Sequence, residues 1–131
     1  GERWPDRVRF FQGYDEPLSH LLYAGGDIFL MPSVFEPCGL SQMIAMRYGT
    51  VPLVREVGGL RDTVTDADAP GGGNGFTFQT CDAAGMLWAL RRAVARFGDA
   101  EYWNALRARA MAGDFSWDRS ALLYKDLYQT L

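Results

Sequence analysis

The sequence has little of what builds several common kinds of site. It holds two cysteines, Cys38 and Cys81, too few for a disulfide framework, so both are expected as free thiols in a reducing compartment. There is one histidine, His20, and no cluster with metal-ligand spacing, so no metal site is expected. Thirteen Lys and Arg stand against sixteen Asp and Glu, a formal charge of −3. That balance excludes a basic surface for nucleic acid or an anionic membrane. No apolar run is long enough to span a bilayer, and the first residues, Gly1-Glu2-Arg3-Trp4, are polar and lack a signal-peptide pattern. There is no internal repeat and no starting methionine. The glycine-rich run Asp66–Gly75 (DADAPGGGNG) lacks the strand-then-helix setting and the lysine of a P-loop. It has the composition of a mobile surface loop.

What is present is a core. Of 131 residues, 48% are hydrophobic and 14% aromatic, enough for one globular domain. The central stretch is residues 27–49, DIFLMPSVFEPCGLSQMIAMRYG. Ile28, Phe29, Leu30 and Met31 are too uniformly apolar for a half-exposed strand and suit one covered on both faces. Pro32 ends that strand. Leu40, Met43, Ile44 and Met46 then recur at helical spacing, and Gly49 stops the helix. Between strand and helix lie Ser33, Glu36, Pro37, Cys38 and Gly39. In an open α/β sheet, ligands bind at the carboxyl ends of the strands, against the N-termini of the following helices. Unpaired N–H groups at a helix start attract phosphate. Gly39 lets a ligand approach the backbone, Ser41 is placed to add a hydroxyl, and Glu36 is placed to contact hydroxyls attached to that phosphate. A sugar diphosphate has these parts. On the residues alone, the equal alternative is that Glu36 and Ser41 only cap a helix while Pro37 and Gly39 only turn the chain.

The flanks extend the α/β pattern. Val8–Gln12 (VRFFQ) reads as a buried strand. Asp15 reads as the N-cap of a helix running to about Ala24, with Pro17 in its first turn and Leu18, Leu21, Leu22 and Tyr23 on its apolar face. His20 in that helix reads as structural. Val51–Val54 is a short buried strand. The loop Val57-Gly58-Gly59-Leu60 follows, where paired glycines permit positive φ or close backbone approach. It either borders a cleft or makes a tight turn. Asp62 and Thr63 fall in a short helix or turn, and Arg55 reads as surface. Phe76–Phe78 is the last strand, with period-two alternation. A helix over about 82–97, capped by Thr80 or Asp82, has Met86, Leu87, Leu90, Val94 and Phe97 as its stripe. A helix over about 99–112 carries Tyr102, Trp103, Leu106 and Met111. Ser116 caps a last helix with Leu122, Leu123, Tyr124, Leu127 and Tyr128. The aromatic residues here read as core rather than carbohydrate platforms. Arg91, Arg92, Arg96, Arg107 and Arg109 read as solvated faces.

The run FEPCGLSQMIAMRYGTVPLVREVGGLRDTV closely resembles the signature of bacterial glycogen synthases and plant starch synthases, glycosyltransferase family 5. That signature runs S-x-F-E-P-C-G-L-[TS]-Q, a helix ending Y-G, a strand, then T/V-G-G-L-x-D-T-V. Together with YDEPLSHLLYAGGD, GFTFQT and FSWDRSALLYKDLY, the resemblance covers nearly the whole chain, and the flanks look most like starch synthases of classes III to V. It implies a fold class: α/β, a Rossmann-like parallel sheet with flanking helices, part of the C-terminal domain of a GT-B glycosyltransferase. Residues 1–131 would be a partial nucleotide-sugar-binding domain of a longer chain whose N-terminal domain, with its lysine-glycine-glycine donor loop, is absent. The implied reaction moves glucose from ADP-glucose to the non-reducing 4-hydroxyl of an α-1,4-glucan, with retention. ADP-glucose is substrate, and neither cofactor nor metal is implied.

The resemblance also implies residue roles. Glu36 would contact the donor glucose hydroxyls and supply negative charge near the anomeric centre. Backbone N–H groups of Cys38, Gly39 and Leu40 would hold glucose oxygens, and Ser41 would hold phosphate. Tyr14 would stack on adenine, a core tyrosine being its alternative. Gly75 and Phe76 would lie near the cleft. Ile44 stands where relatives carry a second glutamate. The last helix would cross toward the missing domain and leave part of its apolar face exposed here. A plastid in a plant or alga, or the cytoplasm of a bacterium, is the implied location. The competing reading is a synthase-like protein that binds glucan or partner proteins without catalysis.

Overall fold

Three short apolar runs become the strands of one parallel sheet. The computed structural model describes residues 3–131, so the polar start at Gly1 and Glu2 lies outside the described residues. The elements run α1 (Glu16–Gly25), β1 (Ile28–Met31), α2 (Ser41–Arg47), β2 (Val51–Arg55), α3 (Gly59–Thr63), β3 (Phe76–Phe78), α4 (Ala83–Phe97), α5 (Ala100–Met111) and α6 (Trp117–Gln129). The sheet order is β1-β2-β3, with Ile28 opposite Val51 and Leu53 opposite Phe76. Chain order and sheet order coincide.

The central strand β2 contains Pro52, which has no N–H to give to a ladder. Its setting removes the cost. Val51 donates its N–H to Asp27, toward β1. Alternation then turns the nitrogen of Pro52 toward β3, where strand pairing begins only at Leu53. Gly75 lies there instead, and a Cβ on it would come within 2.6 Å of the Pro52 carbonyl oxygen.

Successive residues of β2 feed opposite faces. Val51 and Leu53 join Phe76, Phe78, Ala89, Ala93, Trp103 and Leu106 on the α4–α5 side. Val54 joins Met46, Leu60, Val64 and Ala110 on the α2–α3 side. Helix α4 meets the sheet through Ala89 and Ala93, both fully buried, with Met86 and Leu90 beside them. Leu87 and Val94 are exposed, so the expected stripe is rotated. Small side chains at i and i+4 let the helix axis approach closely, which a face of large residues would prevent. Phe76 and Phe78 are buried, and so is Thr77 between them, so β3 is covered on both faces rather than alternating.

Two expectations for strands are corrected. Val8–Gln12 forms no strand; Phe10 and Phe11 are 79% and 60% exposed. In a doubly wound sheet of order 3-2-1-4-5-6, three adjacent consecutive strands match positions four to six. A strand just before them belongs three places away from β1, with two strands between, so here it has no neighbour to pair with. For the same reason β1 is an edge with Leu30 partly open, not a strand covered on both faces. Helix α1 starts as expected, with Asp15 accepting from the Leu18 N–H at 3.0 Å, yet Leu21 and Leu22 are exposed. Helix α6 is capped by Ser116 and exposes Leu122, Leu123, Tyr124, Leu127 and Tyr128. Its tyrosines are therefore not core, while Trp103 is.

Residues 66–75 are not a loose loop. Asp66 and Gly75 form a parallel bridge, and Ala67 is in the core. The Asn74 carboxamide bonds Thr65 N–H and Thr63 carbonyl. Arg109 donates to the Gly73 carbonyl at 2.8 Å and Arg107 to that of Gly49 at 2.9 Å. Arg92 pairs with Asp66 and with Asp68 at 2.6 Å, and lies 4.4 Å over the Trp88 ring. These three arginines are structural braces, not solvated faces, because their partners lie far away in sequence: the 66–75 loop for Arg92 and Arg109, and the end of the α2 segment at Gly49 for Arg107.

Two measurements check this packing. Phe76→Ala should cost about 3–5 kcal/mol in urea unfolding, since it empties a wholly buried site. The Asp66 carboxyl is pushed up by burial, but hydrogen bonds from Arg92, Asp68 N–H and Thr77 N–H, with the Arg92 charge, outweigh that and hold it below its ordinary 3.8. A depressed value stabilises the fold above the ordinary value and is lost as pH falls through the folded one. Wild type should therefore lose more stability than Asp66→Asn between about pH 5 and pH 2; parallel stability curves would refute the assignment.

Candidate functional site

The carboxyl ends of β1, β2 and β3 lie side by side, and the loops that follow them are bonded to one another. The loop after β1, residues 32–40, is held by backbone. Gly58 has φ +48°, and a Cβ on it would overlap the Glu36 carbonyl oxygen. A Cβ on Gly59 would overlap the Cys38 carbonyl. The Gly59 N–H donates to the Glu36 carbonyl at 3.2 Å. The paired glycines thus use both properties expected of them, positive φ and close approach. They bring the start of α3 against the Glu36-Pro37-Cys38 backbone.

Side chains complete the lock. Arg55, at the end of β2, donates to the carbonyls of Ser33 at 3.2 Å, Val34 at 2.8 Å and Gln79 at 3.2 Å. It ties the loop after β1 to the loop after β3. This corrects its reading as surface: a guanidinium at the end of a central strand reaches carbonyls on both sides, and its five donors suit that geometry. Gln42, fully buried in α2, donates to the Gly39 carbonyl at 2.7 Å and to Thr63 Oγ1 at 3.0 Å.

Within this frame Glu36 is half-buried, and its carboxylate accepts from Ser33 Oγ at 3.4 Å. Cys38 is exposed and free. Gly39 is buried with φ +70°. Leu40 occupies the N-cap position of α2 and is 67% exposed, and Ser41 is the first residue of that helix. Among the described residues, the N–H groups of Cys38, Gly39 and Leu40 donate to no backbone carbonyl. The loop therefore offers a carboxylate, three adjacent N–H groups and a hydroxyl within six residues. It can bind an anion carrying hydroxyls. An open apolar groove of about 470 Å³, lined by Leu40, Met43, Ile44 and residues 113–116, borders it at Leu40.

The structure does not join every sequence candidate to this loop. Tyr14 precedes α1, is 88% exposed and makes no aromatic contact among the described residues. Phe76 is in the core, where it stacks on Trp103, and not at a cleft. His20 Nδ1 meets Tyr48 OH at 2.9 Å on the outside of α1, in keeping with a structural role. Sequence reasoning missed Gln42, Thr63 and Arg55 as parts of the site's frame. Gln42 left a signal, a polar residue among the apolar positions of a short helix. Arg55 left a weaker one, a charge ending a buried strand. Among the described residues no group of His, Cys, Asp and Glu is arranged to hold a metal ion.

Residues 3–105 match the family described as glycosyl transferases group 1. A glycogen synthase from Geobacillus thermodenitrificans is 53% identical over 129 residues, which cover 98% of this chain and 27% of the relative. One from Desulfitobacterium hafniense is 52% identical over 132 residues, covering 99% and 28%. Among solved structures, the catalytic domain of starch synthase IV from Arabidopsis thaliana, bound to ADP and acarbose, superposes with a TM-score of 0.87 at 47% identity, covering 98% of this chain and 28% of that one. Sucrose-phosphate synthase from Thermosynechococcus elongatus matches with a TM-score of 0.69 at 29% identity, covering 98% and 31%. The chain spans little more than a quarter of the length of these curated relatives.

The backbone lock is open to test. Gly59→Ala should lose about 1–3 kcal/mol or more in chemical denaturation, because the obstruction is backbone and cannot rotate away. Gly25→Ala, with open space around it at the end of α1, should be neutral or slightly stabilising.

Proposed function

Because this chain belongs to the glycosyl transferases group 1 family and carries the parallel sheet of a GT-B domain, we propose that it forms the donor-binding side of an α-1,4-glucan synthase. The reaction is transfer of glucose from ADP-glucose to the non-reducing 4-hydroxyl of a glycogen- or starch-type glucan, with retention. Both substrates need two walls of a cleft, and this chain supplies one. The other would come from an N-terminal domain of the same polypeptide, so residues 1–131 alone should not turn over. ADP-glucose is consumed as substrate, so the reading calls for no resident cofactor. The curated relatives reported above are bacterial, which favours the cytoplasm over the plastid as the location.

The observation that carries this reading is the glycine-locked loop that presents Glu36 beside the free N–H groups of Cys38, Gly39 and Leu40. In a transition state with oxocarbenium character, positive charge grows at the anomeric carbon and negative charge on the departing diphosphate. The Glu36 carboxylate is placed to orient glucose hydroxyls and oppose the first. The N–H groups at the start of α2 and the Ser41 hydroxyl are placed to meet sugar and phosphate oxygens. Such groups act because the lock holds them before the substrate arrives. Glu36 is not assigned as a nucleophile, since a retaining double displacement needs a second carboxylate about 5 Å away, and the motif offers none, with Ile44 eight residues on. Tyr14 is assigned to the adenine ring, and its exposure leaves both faces available.

In the full-length protein, Glu36→Gln should lower glucose incorporation from ADP-glucose into glycogen by about 100-fold or more while the melting temperature holds. A wild-type protein that binds glucan yet transfers no glucose would reject the synthase reading in favour of a binding protein. Tyr14→Ala should raise the KM for ADP-glucose about tenfold with little change in kcat, the mark of a lost stacking contact.

A further inference from the structure

We propose that Gln42 and Thr63 are positioning residues that hold the 36–40 loop in its donor-binding conformation. The proposal deepens the synthase reading and rests on it for its catalytic consequence.

The side chain of Gln42 is fully buried although it belongs to a seven-residue helix whose other buried residues are Ala45 and Met46. A buried carboxamide is costly unless its hydrogen bonds are made. Here Nε2 makes two, to the Gly39 carbonyl and to Thr63 Oγ1. Thr63 Oγ1 in turn donates to the Gly59 carbonyl at 2.8 Å. The chain of bonds runs from the loop after β1, through α2, to the first turn of α3. Its far end is the glycine whose N–H grips the Glu36 carbonyl. Gln42 therefore closes a ring around the loop: backbone contact at one end, a side-chain tether at the other.

The space at Gly39 supports the same assignment independently. A Cβ there would lie 2.6 Å from Gln42 Oε1 and 2.9 Å from Nε2. Gly39 thus has two reasons to be glycine, its φ of +70° and the carboxamide that fills the place of its side chain. Gln42 Oε1 itself is buried with no partner among the described residues. A residue kept only for packing would be better served by a methionine of similar length, which would bury no orphaned acceptor. What the carboxamide contributes is the pair of bonds that Nε2 makes.

The test uses the full-length protein with Gln42→Met, Thr63→Val and the rescue variant Thr63→Ser, and three readouts. Hydrogen exchange of the Gly59 amide, whose N–H is bonded to the Glu36 carbonyl, should accelerate about tenfold or more in Gln42→Met and Thr63→Val, and return to near wild type in Thr63→Ser. The kcat for transfer from ADP-glucose should fall about 10- to 100-fold in the first two and stay within about twofold of wild type in the third. The melting temperature should remain within a few degrees of wild type throughout. Unchanged exchange in both variants overturns the proposal. So does faster exchange with an unchanged kcat, or a kcat loss that tracks only the unfolded fraction. If wild type shows no transfer at all, the synthase reading fails, and the exchange data alone decide whether Gln42 and Thr63 order the loop.

Discussion

Two stretches of backbone touch at the centre of this molecule with no side chain between them. Gly58 and Gly59 lie against the carbonyls of Glu36 and Cys38, and every other feature of the site is arranged around that contact. A main chain pressed on a main chain has no rotamers with which to adjust. The position of Glu36 is thus tied to the start of α3, and through α3 to the buried Leu60 and Val64. Arg55 performs the matching task on the other side by joining the loops after β1 and β3. The candidate site is mobile only as far as the core is mobile, which is what a preorganised electrostatic environment requires.

The surroundings divide into parts that are finished and parts that are not. Strands β2 and β3 are covered on both faces, and α4 and α5 close one side with small residues and one stacked indole. At the other margin, β1 has a free edge, Val8–Gln12 has no strand to join, and α1 and α6 show leucines and tyrosines to solvent. These open surfaces lie on the elements farthest from the β2–β3 core. The contrast explains why so high a share of hydrophobic residues yields a core confined to the middle of the sequence.

Much of this was legible in the residues. Strands β1, β2 and β3, the capping of α1, α4 and α6, and the loop around Glu36 follow from local patterns: apolar runs, Asp or Ser before a periodic segment, glycine at a stop. Three kinds of fact were not legible. Whether a run such as VRFFQ pairs depends on neighbours that local pattern does not mention. The burial of α4 through Ala89 and Ala93 depends on how closely a helix approaches a sheet, and hydrophobicity alone favours larger residues. The roles of Arg55, Arg92, Arg107 and Arg109 depend on carbonyls and carboxylates brought near by the fold, so each charge read by itself as surface. Likewise the two glycines of Val57–Leu60 announced a close approach without saying to what.

The coincidence of chain order with sheet order bears on how the molecule is made. Each parallel strand is laid beside the one synthesised just before it, over a single crossover, so the sheet grows at one edge and never has to admit a late strand between two earlier ones. Contacts formed in this way close short stretches of chain, which keeps the entropic barrier to each addition low. During synthesis the β1–β2 pair can exist before β3 leaves the ribosome, and the growing edge faces newly made chain while the other edge waits. The backbone clasp between Glu36 and Gly59 joins the crossover between β1 and β2 to the residues just after β2, so this loop can take its shape before β3 and the later helices α4 to α6 are made.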